Sequence, residues 1–402
     1  MKPSILGVYL DPITRHEARS KVASWMTSSK GHYSIFTPNP EFLVRAYKDR
    51  SFLKTLNKGD LTIPDGVGLS LLAPLYGFHI PERIQGADFM MDICELAQKK
   101  QKSVFLLGGR GEVAQKAADT LKKKFPHLVI RGATEGLHDA KERGKSYHEL
   151  IHILNVLKPD IIFVAFGAPL QETWIQDSLP LLTHTKIAMG VGGTFDYLAG
   201  VRTRAPRSMR TMGLEWLYRV IQEPSRLGRI ITAVCVFPCL AVWWRLKGLI
   251  YYRPNVVIFL FRTPKFVLIV EKRKVHSDWQ LPQGGIEEGE TNEQAARREA
   301  REEIGTDNFK IIEEVNNFFA YTWNSRYTRL QAGLRGQKQT VCFVEFTGRD
   351  TEITLDNKVH KAFQWVSLER LPYSVNPRRK PMTQKATDYF VEHLLPHYAR
   401  TS

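Results

Sequence analysis

The segment Gly284–Thr306 reads GGIEEGETNEQAARREAREEIGT, and its spacing predicts how the last third of the chain folds. It begins with a glycine turn, continues as a helix-forming stretch and ends at Gly305. Glu299, Glu302 and Glu303 stand at positions i, i+3 and i+4 and therefore share one face of the predicted helix. Clustered carboxylates repel one another, so a hard divalent cation, Mg²⁺, is expected to neutralise them. The alternative is a solvated acidic helix face.

The same segment resembles the Nudix box, in which glycine, glutamate and arginine residues recur at fixed spacing. The matching positions are Gly284, Glu290, Arg298, Glu299, Glu302, Glu303 and Gly305. Thr306 replaces the aliphatic residue that is usual at the last position, which packs and does not ligate. The resemblance implies a Nudix hydrolase domain over residues 253–402, with an α/β fold in which a mixed sheet lies between helices. It also implies that Glu299, Glu302 and Glu303 hold Mg²⁺.

Sequences on both sides of the box narrow the type of Nudix domain. Trp279–Gly285 (WQLPQGG) before it and Gly336–Gln339 (GQKQ) after it are similar to the branch that hydrolyses dinucleoside polyphosphates and RNA 5′ ends. This resemblance implies a nucleotide polyphosphate substrate. That branch usually has another glutamate shortly before a tryptophan-containing strand, and the expected position near Val359 has no carboxylate. Either Asp356 substitutes for it or the activity is altered.

Residues 1–200 alternate short apolar runs with longer amphipathic stretches. Ser103–Leu107 and Ile161–Ala165 are two of these runs. Apolar strands separated by helices predict an α/β domain with a Rossmann-like, mostly parallel sheet and helices on both faces. In such a sheet, the loops beyond the carboxyl ends of the strands line the ligand crevice. Polar residues and glycines follow these runs in the segments TPNPEF, IPDGVG, ERIQGAD, FGAPLQE and GVGGTFD.

In this order, and followed by RAP and GLEWLYR, these segments resemble the bacterial WecG/TagA/CpsF glycosyltransferase family. The resemblance spans roughly Ile5 to Arg229. It implies an inverting transfer of N-acetylmannosamine or a related sugar. The donor is a UDP-sugar, and the acceptor is a polyprenyl-diphosphate-linked sugar. No metal is obligatory for this reaction.

The family pattern also implies roles for individual residues. Asp65 matches the general base, and Thr37, Arg83 and Gln171 match further catalytic residues. This agrees with the chemistry, because an acceptor hydroxyl needs a carboxylate within reach and a departing UDP needs positive charge or N–H donors. The alternative for Asp65 is an ordinary turn residue, and for the arginines a solvated or membrane-facing charge. Residues expected to bind substrate are Asn39, Gly192, Gly193, Arg207 and Arg210.

Residues 201–252 differ in composition from what precedes and follows them, and we call them the appendage. From Gly200 to Arg253, ten Lys or Arg stand against two acids, in a chain of net charge +16. The apolar run Ile230–Trp244 is fifteen residues long and contains Pro238. A spanning helix needs about 20 residues, so the run predicts an interfacial segment on an anionic membrane.

The sequence therefore predicts a transferase core (1–200), the appendage (201–252) and a Nudix domain (253–402). Few, scattered cysteines suit a cytoplasmic enzyme. The basic, partly apolar appendage predicts that this enzyme is peripheral at the inner face of the membrane. Expected partners are a UDP-sugar, a polyprenyl-diphosphate-linked acceptor, a nucleotide polyphosphate, an anionic membrane surface and a second copy of the chain. One alternative is a non-catalytic, nucleotide-binding N-terminal domain beside a catalytic Nudix half. The other is an RNA-processing protein, although no aromatic-interleaved basic sheet is present.

Overall fold

The computed structural model describes residues 2–29, 31–135, 145–206, 208–209, 212–263, 265–273, 277–323, 333–356 and 359–398. They form two compact units, one centred on Met1–Lys247 and the other on Gly248–Arg329 with Leu334–Ser402. The appendage up to Lys247 thus belongs to the same compact unit as residues 1–200.

The strands of the first unit form a small ribbon and a parallel sheet. They are β1 (Ser4–Ile5), β2 (Val8–Tyr9), β3 (Tyr33–Phe36), β4 (Leu61–Thr62), β5 (Ser103–Gly108), β6 (Val129–Thr134), β7 (Ile161–Ala165) and β8 (Ile187–Gly190). The ribbon is the antiparallel pair β1–β2, and the remaining strands pair in parallel in the order β4-β3-β8-β7-β5-β6. The predicted Rossmann-like parallel sheet is confirmed.

Helices cover both faces of this sheet. They are α1 (Arg15–Thr27), α2 (Pro40–Lys48), α3 (Arg50–Asn57), α4 (Val67–Leu72), α5 (Gly86–Lys99), α6 (Val113–Lys124), α7 (Lys145–Leu157), α8 (Leu170–Ser178), α9 (Thr194–Leu198), α10 (Glu215–Gln222) and α11 (Leu227–Ile250). Successive residues of β5 point to opposite faces, which gives the unit two apolar cores. Phe105 and Leu107 lie in one core, and Val104 and Leu106 lie in the other.

Helix α11 is longer than the apolar run in the sequence indicated. It continues over 24 residues, with a π turn at Thr232–Val236. By length and composition alone, it is the one helix among the described residues that could cross a membrane. The apolar run of fifteen residues underestimated the length of this helix, because the basic residues at the ends of the run do not end the helix. Phe237 and Ala241 are buried in the core of the first unit, and the Tyr76 hydroxyl donates to the Ala241 carbonyl (2.9 Å).

The second unit is built on a mixed sheet. Its strands are β9 (Tyr252–Arg262), β10 (Phe266–Lys272), β11 (Trp279–Gln280), β12 (Gln283–Gly285), β13 (Phe309–Thr322), β14 (Gly336–Phe346) and β15 (His360–Ser367). They follow the order β11-β10-β9-β14-β13, with β12 paired to β9 and β15 to β10. Strands β9 and β14 are parallel, and the other pairs are antiparallel.

Helices pack on both faces of this mixed sheet. They are α12 (Asn292–Ile304), α13 (Leu371–Ser374), α14 (Lys380–Tyr389) and α15 (Leu395–Tyr398). Ala296 of α12 packs on one face with Ile258 of β9. Phe390, in the π turn that follows α14, packs on the other face with Phe259 of β9. The predicted arrangement of a mixed sheet between helices is confirmed.

Candidate active sites

Asp65 and Thr37 lie next to each other beyond the carboxyl ends of β4 and β3. These strands are parallel neighbours, and the Asp65 N–H donates to the carbonyl of Pro38 (2.9 Å). The Asp65 carboxylate accepts a hydrogen bond from the N–H of Gly86 (3.1 Å), the first residue of α5. A Cβ added at Gly86 would lie 2.7 Å from the Thr37 hydroxyl oxygen. The hydroxyl and the carboxylate therefore meet at one glycine, at a helix end that favours negative charge.

A cavity of about 380 Å³ opens beside Asp65. Asp65, Arg83 and Asn39 form part of its polar wall. Ile230 and Val234 of α11 contribute to an apolar wall. Its volume lies in the range of small-molecule sites, so the cavity can enclose a polar group with an attached apolar part.

Hydrogen bonds along this cavity join three segments that are far apart in the sequence. Arg204 donates to Asp88 Oδ1 (2.7 Å) and to Gln85 Oε1 (3.0 Å), and Gln85 Nε2 donates to Glu215 Oε2 (2.8 Å). The sequence motifs contain Gln85 and Glu215 but indicated no role for either residue. Gln85 and Glu215 are 130 positions apart, so the signal available for their contact was the fixed order of the segments that contain them.

Gln171 lies in a different environment from Asp65. Its side chain is buried, its Oε1 accepts the N–H of Gly192 (3.0 Å), and its Nε2 donates to Glu172 Oε1 (2.6 Å). Glu172 is also buried, and burial raises the pKa of its carboxyl to about 7. Gln171 thus braces the loop after β8. Among the described residues, Thr37, Gln171, Gly192 and Gly193 are not part of the cavity wall.

The remaining predicted substrate-binding residues are placed in part. Asn39 lines the cavity and also caps α2, because its Oδ1 accepts the N–H of Phe42 (3.1 Å). Arg207 and Arg210 lie outside the described residues. Other arginines of the appendage form ion pairs inside the first unit, namely Arg202 with Glu223 and Asp196, Arg204 with Asp88, and Arg229 with Glu41. These pairs reduce the positive charge that the appendage can offer to an anionic surface.

In the second unit, helix α12 carries the acidic segment, with well-defined ends. Thr291 accepts the backbone N–H of Gln294, and the Gln294 side chain accepts the N–H of Thr291, which forms a capping box. The helix ends at Gly305, whose φ of 75° is left-handed. A Cβ at Gly284 would overlap the Glu299 carboxylate. Glycine therefore lets the loop lie against this carboxylate without displacing it.

Arg298 stands at the centre of the acidic group. It donates to both carboxylate oxygens of Glu290 (2.7 and 2.9 Å), to the carbonyl of Gly285 (2.8 Å) and to Glu299 Oε1 (2.7 Å). Its Nη1 is also 3.6 Å from Glu302 Oε1. The Arg298 guanidinium lowers the pKa of Glu290 to about 2, and these carboxylates raise the pKa of Arg298. Arg298 thereby connects Glu290, Glu299 and Glu302 in a single network.

The three candidate metal ligands are only partly assembled. Glu299 and Glu303 are nearly enclosed, whereas the Glu302 side chain is 62% exposed and can turn. Burial raises the pKa of Glu303 to about 8, with Glu299 and Glu302 adding to it. Among the described residues, no three His, Cys, Asp or Glu side chains converge as a metal site. The negative charge of Glu299, Glu302 and Glu303 nevertheless fits a divalent cation, which would relieve the repulsion around Glu303.

Sequence reasoning missed several buried polar side chains close to the box. Asn255, Gln280 and Gln339 are at most 3% exposed, and each has one polar atom without a partner in the described part of the chain. Gln283 hydrogen bonds to Gln280 (2.9 Å) and to Gln339 (3.0 Å). His360 is fully buried, and neither ring nitrogen has a hydrogen-bond partner there. The glutamine-rich segments were a visible signal, and His360 stands next to Val359, near which the resemblance implied a carboxylate.

Comparisons with known proteins cover both units. Residues 3–250 match the glycosyl transferase WecG/TagA/CpsF family, and residues 251–386 match the NUDIX domain. The chain is similar to the N-acetylglucosaminyldiphosphoundecaprenol N-acetyl-beta-D-mannosaminyltransferase of Bacillus subtilis (strain 168), at 29% identity over 229 residues, 57% of this chain and 83% of that protein. The enzyme of the same name from Bacillus spizizenii is 31% identical over 209 residues, 52% of this chain and 78% of that protein. The solved E. coli dihydroneopterin triphosphate pyrophosphohydrolase is 20% identical, covering 34% of this chain and 96% of that chain, with a TM-score of 0.27.

Proposed function

Because the chain belongs to the WecG/TagA/CpsF glycosyltransferase family and also carries a Nudix hydrolase domain, we propose that it is a bifunctional enzyme. Its first unit transfers N-acetylmannosamine or a related sugar from a UDP-sugar to a polyprenyl-diphosphate-linked sugar. Its second unit hydrolyses a nucleoside-diphosphate-linked substrate with the help of Mg²⁺. The names of the relatives, which specify a mannosaminyl group and a diphosphoundecaprenol acceptor, support the first activity.

The cavity beside Asp65 carries the transferase proposal. An inverting displacement needs a base on the acceptor hydroxyl and positive charge or N–H donors near the departing diphosphate. Asp65 supplies the carboxylate, and Arg83 on the same wall supplies a guanidinium. Ile230 and Val234 of α11 present apolar surface to the same space. An acceptor with a sugar head and a lipid tail matches this combination of polar and apolar walls.

Helix α11 supports a position at the membrane surface. Only 11% of its most apolar window is buried. Val234, Val242, Trp243 and Leu246 are each between 43% and 48% exposed. An exposed apolar surface of this kind is unfavourable in water and favourable at a bilayer interface. We therefore place the protein at the inner face of the membrane, with α11 against the lipid and the cavity near a lipid-linked acceptor.

The carboxylates of α12 support the hydrolase activity. Glu299, Glu302 and Glu303 would hold the cation, which when bound positions substrate phosphates and lowers the pKa of the attacking water. Arg298 fixes Glu299 and ties it to the loop through Glu290 and the Gly285 carbonyl. The chain's contribution is thus a carboxylate cluster on α12, two members of which are nearly enclosed beside a glycine-containing loop.

Substrate panels on the purified full-length protein test both activities. The first panel combines UDP-sugars with a prenyl-diphosphate-linked N-acetylglucosamine, and the products are separated by chromatography. The second contains dinucleoside polyphosphates and triphosphorylated RNA with Mg²⁺. We expect UDP release with a lipid-linked disaccharide from the first, and pyrophosphate cleavage from the second. UDP binding without transfer would instead indicate a regulatory N-terminal domain. RNA cleavage as the sole reaction would indicate RNA processing.

A further inference from the structure

His360 is an unusual residue in the core of the second unit. Its side chain has no solvent exposure, and neither ring nitrogen has a hydrogen-bond partner in the described part of the chain. A buried polar group without a partner costs free energy, and native proteins rarely leave one unsatisfied. A neutral imidazole has a ring-nitrogen lone pair that can bind a cation. A buried group of this kind needs a binding partner.

The fold aims this imidazole at the carboxylate cluster. His360 opens β15 and pairs with Lys272 at the end of β10. Its Nε2 lies 3.8 Å from Glu303 Oε1. That separation is too long for a hydrogen bond. Two ligands that are each about 2.0–2.2 Å from one cation are separated by up to about 4 Å, so the distance suits a shared ion.

His360 also lies beside the position at which the Nudix resemblance implies a carboxylate. The expected carboxylate is absent near Val359, and His360 is the next residue along the chain. Asp356, the other candidate, meets His360 through its backbone, because its carbonyl accepts the His360 N–H (2.9 Å). We propose that His360 is a nitrogen ligand of the divalent cation of the second unit, bound together with Glu303. This inference rests on the proposed hydrolase site.

A nitrogen ligand changes which metal the site prefers. Carboxylate-only sites suit Mg²⁺, whereas imidazole favours transition metals. The affinity order for first-row divalent ions then places cobalt and zinc above manganese. Because an imidazole ligand favours transition metals over Mg²⁺, the second unit should bind Mn²⁺ and Co²⁺ more tightly than Mg²⁺. This preference should depend on His360.

Electron spin-echo spectroscopy of Mn²⁺ bound to the full-length protein tests the ligand directly. A coordinated imidazole gives modulation from its ¹⁴N nucleus, which carboxylates cannot produce. We expect this modulation in the wild-type protein and in His393→Gln, a histidine variant elsewhere in the second unit. His360→Gln should lose the modulation and bind Mn²⁺ about 10–100-fold more weakly. His360→Glu, which supplies a carboxylate, should also lose the modulation but bind Mg²⁺ at least as well as the wild type.

The outcomes separate this inference from the hydrolase proposal. Mn²⁺ bound by the wild type and released by Glu299→Gln, but without ¹⁴N modulation, would overturn the role of His360 alone. Wild-type protein that binds no Mn²⁺ would overturn both the metal site and the role of His360. Should His360→Gln fail to fold, the wild-type spectrum and the His360→Glu variant still decide the question.

Discussion

At the scale of single residues, the two units surround their carboxylates differently. In the second unit, Arg298 neutralises Glu290 and Glu299 through short hydrogen bonds, and a further carboxylate, Glu302, remains exposed. In the first unit, Glu172 is enclosed beside the Gln171 amide, and its Oε2 has no partner in the described part of the chain. An ionised carboxylate in the latter setting is costly. Each arrangement leads to a measurable consequence.

Glu302→Gln should remove most of the Mg²⁺-dependent hydrolysis without unfolding the second unit. The side chain is 62% exposed, so its change to the uncharged isostere disturbs little packing. Loss of a ligand should lower the rate at least about tenfold, since even groups that only support a ligand cost about 10–100-fold. Turnover measured at saturating substrate, with circular dichroism as the folding check, provides the test. Glu293→Gln on the same helix, where Glu293 is 51% exposed, is the matched control. Unchanged turnover in Glu302→Gln would remove this residue from the ligand set.

Glu172 should make the stability of the first unit dependent on pH. Burial raises the pKa of this carboxyl from 4.5 to about 7, so the folded state binds the proton more tightly than the unfolded state. The stabilisation is fully present below pH 4.5 and is lost as the pH rises through about 7. The shift corresponds to on the order of 3 kcal/mol.

Unfolding by urea at pH 5 and pH 8 measures this effect. The wild-type protein should lose free energy of unfolding between these values relative to Glu172→Gln, in which the group cannot ionise. Glu149→Gln, an exposed glutamate on α7, should keep the wild-type dependence. Parallel pH profiles for the wild type and Glu172→Gln would show that Glu172 does not titrate in this range.

At the scale of elements, α11 has two distinct surfaces. Phe237 and Ala241 pack into the first unit, and the hydrogen bond from Tyr76 fixes that face. The face carrying Trp243 and Leu246 is about half exposed. Because several arginines of the appendage are already paired, the apolar face, more than the count of basic residues, should dominate membrane binding.

Replacing that face should detach the protein from lipid. The double variant Trp243→Gln/Leu246→Gln removes two apolar side chains, and burying each fully is worth roughly 1.5–3 kcal/mol. We expect the wild type to float with anionic liposomes even at high salt, since salt screens only the electrostatic part. The double variant should remain in the dense fractions. Ile153→Gln, which alters an equally exposed helical residue of α7 (48%), should float like the wild type. Equal flotation of the double variant would contradict a membrane role for this face.

At the scale of the whole molecule, the sequence was most informative where a pattern is local. The carboxylate spacing and Gly305 predicted α12 and its carboxyl end, because a helix is determined by neighbours three and four positions apart. The buried Thr306 was likewise expected to pack, and it does. The contacts of Gln85 with Glu215, and of His360 with Glu303, depend on how distant strands and helices meet. No local pattern records either contact, so neither was predicted.

The presence of separate apolar cores in each unit leads to an expectation about the two activities. If each unit folds around its own cores, a substitution in one site should leave the other activity intact. Asp65→Asn is the sharpest probe. An asparagine can still accept the Gly86 N–H, so the loop geometry should survive, whereas the side chain can no longer act as a base. Sugar transfer should fall about 10²–10⁴-fold.

Three measurements on one preparation of Asp65→Asn separate the possible roles of this residue. UDP-sugar binding should change little, because the base acts on the acceptor hydroxyl and not on the donor phosphates. Hydrolysis by the second unit should equal that of the wild type, and Asp119→Asn, a surface carboxylate of α6, should retain both activities. Lost donor binding would make Asp65 a ligand of the nucleotide, and unchanged transfer would exclude it from the mechanism. A parallel fall in hydrolysis would show that the two units are coupled, because a change at the end of β4 would then be felt at α12.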